Sequence, residues 1–396
     1  MENAAVICEF DPLHRGHEYL LGSLRAQGAK NIVCILSGAI CQRGEPSTFP
    51  KHARAEAALR AGADLVLELP FPYSGASAEY FAYGAMSVIG ALGCIDTLGF
   101  GCECGDAHQL VRAADRMLSR EFELEYERVR TDKKSMGAAA CIETAYKSLW
   151  GDAPLFSGAN NVLALEYIKQ AKRMGLPLSF CAVKRRGSMH SEMDENDSFA
   201  SASLIRDKLR SGDRNIEKYI PESCLDIIKN VLDSGELSFG IESAERAVLS
   251  HFRLLGADGE ASAEMKGGLV NRMISAAENC TDYHSFTHSL KTKKYTDARL
   301  RRAIIFSMCS VTDEMLKLPP AYTTLLAATK SGTQLLSSVK KKLGMMLVST
   351  PAMLASLPEC AKPQMLACRR AESLRAVCCE RIFPTEKALK IPPVIL

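Results

Sequence analysis

His14-Arg15-Gly16-His17 puts two imidazoles, a cation and a glycine within four residues. These types suit a phosphate. Imidazole N–H groups donate to its oxygens, and glycine lets it approach the backbone. The apolar run Ala4-Ala5-Val6-Ile7-Cys8 precedes the motif, and a helical pattern over 18–27 follows it, with Leu20, Leu21 and Leu24 on one side. The motif is therefore expected at a strand–turn–helix junction, where free backbone N–H groups and the helix dipole favour an anion. Alone, the same residues also describe a surface turn with two solvated histidines, so the surrounding elements must decide.

Those elements alternate. Apolar runs at 31–36, 64–69, 97–100 and 178–183 predict strands. Patterns over 51–61, 77–92 and 160–174 predict helices, the last two closed by Gly93 and Gly175. Such alternation makes an α/β fold with a parallel sheet covered on both faces. Ligands of these sheets bind beyond the carboxyl ends of the strands. His14 and His17, Ser37-Gly38, Phe100-Gly101 and Lys184-Arg185 all fall there. Gln42-Arg43-Gly44-Glu45-Pro46 follows the second strand, Lys51 and Arg54 open a helix, and Ser201-Ala202-Ser203-Leu204-Ile205-Arg206 opens another. A solitary Lys or Arg is ordinarily a solvated surface charge. Gathered at strand ends, such cations stabilise the charge that develops at a phosphate in transfer. The polar 187–198 reads as a mobile loop. Neither a P-loop nor a Gly-x-Gly-x-x-Gly fingerprint is present.

At 396 residues the chain suggests two domains, divided here into 1–211 and a mainly helical 212–396 with short strands at 322–328 and 345–348. With 47% hydrophobic and 24% charged residues the composition is globular. No apolar run reaches the roughly 18 residues that span a membrane. The absence of a signal-peptide pattern and the 15 scattered cysteines point to reduced thiols in a cytoplasm. No zinc spacing is seen, so no metal site is expected. A net charge of +3 decides nothing about nucleic acid. The basic stretch Lys291, Lys293, Lys294, Arg299, Arg301 and Arg302, with Tyr295 inside it, is either a solvated face or an RNA contact. Lys340-Lys341-Lys342 and Arg369-Arg370 are smaller candidates.

The first motif resembles the HxGH signature of a nucleotidyltransferase superfamily that binds ATP on a Rossmann-like sheet. Longer stretches narrow the likeness. Glu9-Phe10-Asp11-Pro12-Leu13-His14-Arg15-Gly16-His17 resembles the E-Y-N-P-F-H-N-G-H opening of the bacterial tRNA(Met) cytidine acetate ligases. Ser37-Gly38 with 42–46 is similar to their S-G-N-F-x-Q-R-G-E-P, and Ser201 to Arg206 to their S-A-T-x-I-R. Asp64 to Pro70, Ser77 to Ala85, Phe100-Gly101, Asn160-Asn161, Lys184-Arg185 and Lys293 to Leu300 fall in matching order.

The resemblance implies a carbon–nitrogen-forming ligase. ATP and acetate would give acetyl-adenylate, and the acetyl group would pass to N4 of the wobble cytidine of elongator tRNA(Met), giving N4-acetylcytidine. Carried over by position, ATP would be held by Ile7, Cys8, Glu9, Phe10, Asp11, Pro12, Leu13, His14, Arg15, Gly16, His17, Glu18, Tyr19, Leu20, Gly101, Asn160 and Arg185. Charge and place add Ser201, Ser203, Arg206 and Lys51, with His14, His17, Lys51 and Arg206 acting on the phosphates. Mg²⁺ is expected only with ATP. Lys291, Lys293, Lys294, Tyr295, Arg299 and Arg302 would meet tRNA. Asp11 stands where the family has Asn. It puts a carboxylate beside an anion site, either to orient His14 or to cap the turn. The residues alone leave two other readings open: adenylylation of a small phosphorylated cofactor precursor, and nucleotide or RNA binding without catalysis.

Overall fold

In chain order the strands are β1 (Asn3–Cys8), β2 (Asn31–Ser37), β3 (Ile40–Cys41), β4 (Glu45–Pro46), β5 (Leu65–Leu69), β6 (Thr97–Cys102), β7 (Ser179–Lys184), β8 (Tyr322–Ala328), β9 (Met346–Val348) and β10 (Val394–Ile395). The computed structural model describes residues 1–133, 136–151, 154–185, 199–256, 262–265, 268–292 and 295–396. The expected mobile loop at 187–198 lies outside the described residues, as do Lys293 and Lys294.

The main sheet runs β10-β8-β5-β2-β1-β6-β7, with β9 on β8. Its centre, β5-β2-β1-β6-β7, is parallel, as the alternation predicts, with Ala5 opposite Val33 and Leu98. Successive side chains alternate between two cores. Ala4, Val6, Ile32, Cys34 and Leu36 face one, with Leu20, Leu21 and Leu24 of helix α1 (Arg15–Ala26) and Ala55 and Ala58 of α2 (Lys51–Arg60). Ala5, Val33 and Ile35 face the other, with α3 (Ala78–Leu92) and α7 (Ala159–Arg173). Helices α4 (Ala107–Met117), α5 (Arg120–Asp132) and α6 (Ala138–Trp150) extend that side. Burial on both faces is why these strands read as unbroken apolar runs. Gly93 and Gly175 end their helices at φ +63 and +64, a left-handed backbone that glycine adopts without strain.

The second part is mainly helical. Phe252, Phe286 and Phe306 centre a third core, in which the helices Glu245–Leu255, Leu269–Asn279, Tyr283–Leu290 and Asp297–Met308 pack together. The sheet nevertheless crosses the expected 211/212 division. β8 pairs antiparallel with β5, Leu65 opposite Ala328, so the sheet is mixed rather than wholly parallel. The physical reason is edge protection: β5 would otherwise expose a row of unpaired backbone groups. β8 fits because Leu325 and Ala328 enter one core while Leu326 and Ala327 enter the other.

Candidate nucleotide-phosphate site

His14 is the N-cap of α1, in extended backbone at φ −138 and ψ 172. Its Nδ1 accepts from the Gly16 N–H at 3.0 Å, and the His14 N–H donates to His17 Nδ1 at 3.3 Å. A backbone N–H can only donate, so both Nδ1 atoms carry lone pairs and each neutral ring keeps its proton on Nε2. The rings stack with centroids 3.8 Å apart, and Phe10, at the unusual φ of +46, tilts against His17 at 4.7 Å. A Cβ at position 16 would come 2.8 Å from His14 Cε1, which explains the glycine. Burial, reinforced by Arg185 and Arg206, pushes His14 down to about 3 and His17 well below the usual imidazole range. Near neutral pH the pair therefore offers two uncharged Nε2–H donors and no imidazolium acid. Such donors suit phosphate oxygens, with the guanidiniums supplying the charge.

Arg206 is buried on α8 (Ala202–Arg210) and donates through Nη1 to the Asp11 carbonyl at 2.7 Å. Arg185 is exposed just beyond β7. Ser201 caps α8, accepting from the Leu204 N–H at 3.2 Å and lying 2.9 Å from the Ser203 hydroxyl. Gly101, the last residue but one of β6, lies beside Arg185. Asn160 opens α7, where its amide donates to Glu103 at 2.6 Å. Glu103 also accepts the Asn161 N–H at 2.8 Å, so an acid sits on the positive end of α7. Sequence reasoning missed Glu103; a carboxylate directly after β6 was the available signal.

Asp11 does neither of the things expected of it. Its wholly buried carboxylate accepts the backbone N–H of Thr48 at 2.9 Å and of Phe49 at 2.8 Å, and meets Arg43 at 3.2 Å. Burial alone would raise its pKa, but Arg54, Arg43, Arg206 and the Phe49 N–H outweigh that and hold it below the usual range. Asp11 thus ties the histidine loop to the 42–49 loop. Arg54 reinforces the tie from beneath, donating to the carbonyls of Glu9 (2.7 Å), Ser37 (2.9 Å), Gly38 (2.6 Å) and Phe49 (2.9 Å).

Other expected residues are placed away from the imidazoles. Arg15 turns outward and donates to the Lys218 carbonyl at 2.9 Å. Leu13 and Leu20 are core side chains. Lys51 is buried between Glu68 and Glu372, 2.9 Å from each. The cations acting on His14 and His17 are Arg185 and Arg206.

Of the basic stretch, Lys291 pairs with Asp297 at 3.1 Å, while Arg299 and Arg302 both reach Glu264 at 3.3 Å. Tyr295 is only 6% exposed, with the Arg272 and Arg299 guanidiniums over its ring at 5.9 and 5.0 Å. Its ring therefore belongs to the third core rather than to a surface on which a base stacks.

A strand end carrying paired histidines at a helix start, with arginines converging on it, is the site of a HIGH-type nucleotidyl transferase. The family model described as HIGH Nucleotidyl Transferase matches residues 1–378. Curated relatives named tRNA(Met) cytidine acetate ligase include those of Acetivibrio thermocellus (32% identical, 88% of each chain covered) and Caldanaerobacter subterraneus (30%, 89% of each). The crystal structure of Thermotoga maritima TmcAL bound with α-thio ATP matches with TM-score 0.89 at 28% identity, and its apo form with 0.91 at 29%, over the full length of both chains. The chain belongs to the tRNA(Met) cytidine acetate ligases, a family of ATP-using, tRNA-modifying ligases.

Proposed function

We propose that this protein acetylates N4 of the wobble cytidine of elongator tRNA(Met). An acetate oxygen attacks the α-phosphorus of ATP and pyrophosphate leaves. The cytidine amine then attacks the acetyl carbon and AMP leaves with the N4 proton released. The observation that carries this reading is the pair of neutral Nε2–H donors at the start of α1, flanked by Arg185 and Arg206. Donors fixed before reaction stabilise charge growing on phosphate without reorganising. The arrangement supplies positioning and charge, which an already activated acyl-adenylate needs most.

Mg²⁺ would arrive on the ATP phosphates. Among the described residues no group of three His, Cys, Asp or Glu gathers to hold a metal, and the carboxylate of the histidine loop, Asp11, is engaged by Thr48, Phe49 and Arg43. Residues 1–211 form the adenylating part and 212–396 the tRNA-binding part, with Lys291, Arg299 and Arg302 facing the RNA. The reaction belongs in the cytoplasm, where tRNA is modified. Among the described residues no helix is long and apolar enough to cross a membrane.

The test is incubation with ATP, labelled acetate and tRNA(Met) transcript, followed by digestion of the RNA. Labelled N4-acetylcytidine is expected. Pyrophosphate release that needs a phosphorylated precursor and no acetate would overturn the reading.

A further inference from the structure

Two strands from the histidine loop the same sheet edge opens into a cavity of about 410 Å³, within the range of small-molecule pockets. It lies among the start of α2, the first residues of β8, the segment 348–355, the helix Lys362–Val377 and the segment 386–393. Leu325, Val348, Leu354, Met365, Leu389 and Ile391 make its walls apolar, and Tyr322 adds a ring.

Its polar groups are different. Lys51 is held between Glu68 and Glu372. Glu372 stays ionised because Lys51, Arg375 and His52 outweigh the effect of burial. Around the cavity Lys51, Arg369 and Lys390 are matched by Glu68, Glu372 and Glu386, so the lining is balanced and asks for a neutral ligand. Two acceptors in it remain unfilled. His52 donates to the Ala388 carbonyl, which leaves its buried Nδ1 lone pair without a partner. Glu372 Oε1 is paired with the Lys51 ammonium at 2.9 Å and, as a carboxylate oxygen, keeps a second lone pair with no donor on it. Buried acceptors without donors are costly.

We propose that this cavity receives the cytosine of the acceptor nucleotide, an inference that rests on the proposed function. The cytosine edge carries the missing element: an uncharged exocyclic amine with two N–H donors. Carboxylates accept from that amine, and an extruded base is held between apolar and aromatic walls. Uracil, with a carbonyl oxygen in the same place, would set acceptor against acceptor. Glu68 also packs against the end of β2, where a Cβ at Gly38 would lie 2.5 Å from its Oε1. One strand therefore separates the cavity floor from the strand that carries the histidine loop.

The test is ligand-observed NMR of cytidine and uridine with the full chain, its nucleotide site saturated by a non-hydrolysable ATP analogue. Cytidine is expected to bind at least about tenfold more tightly than uridine, the discrimination of one good base-edge contact. Glu372→Gln should invert the preference, because its amide can donate to the uracil oxygen. Ala355→Trp, at the mouth and away from the charges, should abolish cytidine binding while leaving the analogue bound. No cytidine binding to the wild type, or equal binding of uridine, overturns the proposal. Acetate-dependent pyrophosphate release by the same preparation, given ATP in place of the analogue, would show that the adenylation reading survives that failure.

Discussion

Asp11→Ala removes the acceptor of two buried backbone N–H groups, Thr48 at 2.9 Å and Phe49 at 2.8 Å. Each orphaned donor costs about 1–3 kcal/mol. Arg43 keeps Glu9 and Glu45, so its loss adds little. The expected destabilisation is roughly 3–5 kcal/mol, the cost of breaking a buried charged contact from one side and a large share of a typical domain's stability. Asp11→Asn retains one oxygen and should lose about half as much. Urea denaturation of the three proteins measures this, and acetate-dependent ATP–pyrophosphate exchange reports on the histidine loop. The pH dependence has a defined sign. The folded Asp11 carboxyl titrates below its unfolded value. Its contribution is therefore complete above the ordinary carboxylate pKa, about 4, and is lost as pH falls through the lowered value. The gap between wild type and Asp11→Asn should narrow below about pH 4. An Asp11→Ala protein within 0.5 kcal/mol of the wild type, with full exchange activity, would refute the anchoring role.

His14→Ala should cut pyrophosphate exchange by about 10²-fold or more, the usual loss for one preorganised donor, with an unchanged circular dichroism spectrum. Because His14 titrates near 3, the exchange rate should show no imidazole limb near pH 6.5; such a limb, if it disappeared in His14→Ala, would contradict the neutral-donor assignment. Arg299→Ala should lower the salt slope of tRNA binding by about one unit, read from binding isotherms at several salt concentrations. Gly44→Ala should destabilise the fold by about 1–3 kcal/mol in denaturation, since φ is +71 and the new Cβ would lie 2.8 Å from Arg302 Cγ and 2.9 Å from its backbone nitrogen.

The five central strands were legible because burial on both faces writes a continuous apolar run, and Gly93 and Gly175 mark helix ends that need a left-handed backbone. The place of β8 was not. Its span, Tyr322–Ala328, was visible, but pairing with β5 from more than 250 residues away leaves no local period. The histidines were legible by type and spacing; their tautomer was not, because it is set by backbone N–H directions that only the fold defines. The role of Asp11 was hidden for the same reason: its partners are the main chain at 48 and 49, which carries no sequence signal. Tyr295 misled in the opposite direction. An aromatic among cations resembles a stacking platform, yet the fold turns the ring inward and covers it with one of those cations, Arg299, and with Arg272 from the helix Leu269–Asn279.

The loop 42–46 explains why the phosphate site and the basic helix cannot be built independently. Glu45 meets Arg43 at 3.6 Å, Arg210 at 3.2 Å and Arg301 at 3.3 Å. Arg301 also donates to the Arg43 carbonyl at 3.3 Å, and Gly44 packs directly on Arg302. Arg43 in turn grips Glu9 and Asp11, the residues leading into the histidine turn. The helix Asp297–Met308 is therefore three ion pairs from Glu9 and Asp11. A phosphate drawn to Arg301 would compete with Glu45 for the same guanidinium and loosen the clamp that fixes Arg43. Interactions among partly buried charges in one network do not add independently. Under the proposed function, a tRNA contact at this helix and nucleotide positioning would share Glu45 and Arg43, so a substitution at either is expected to act on both.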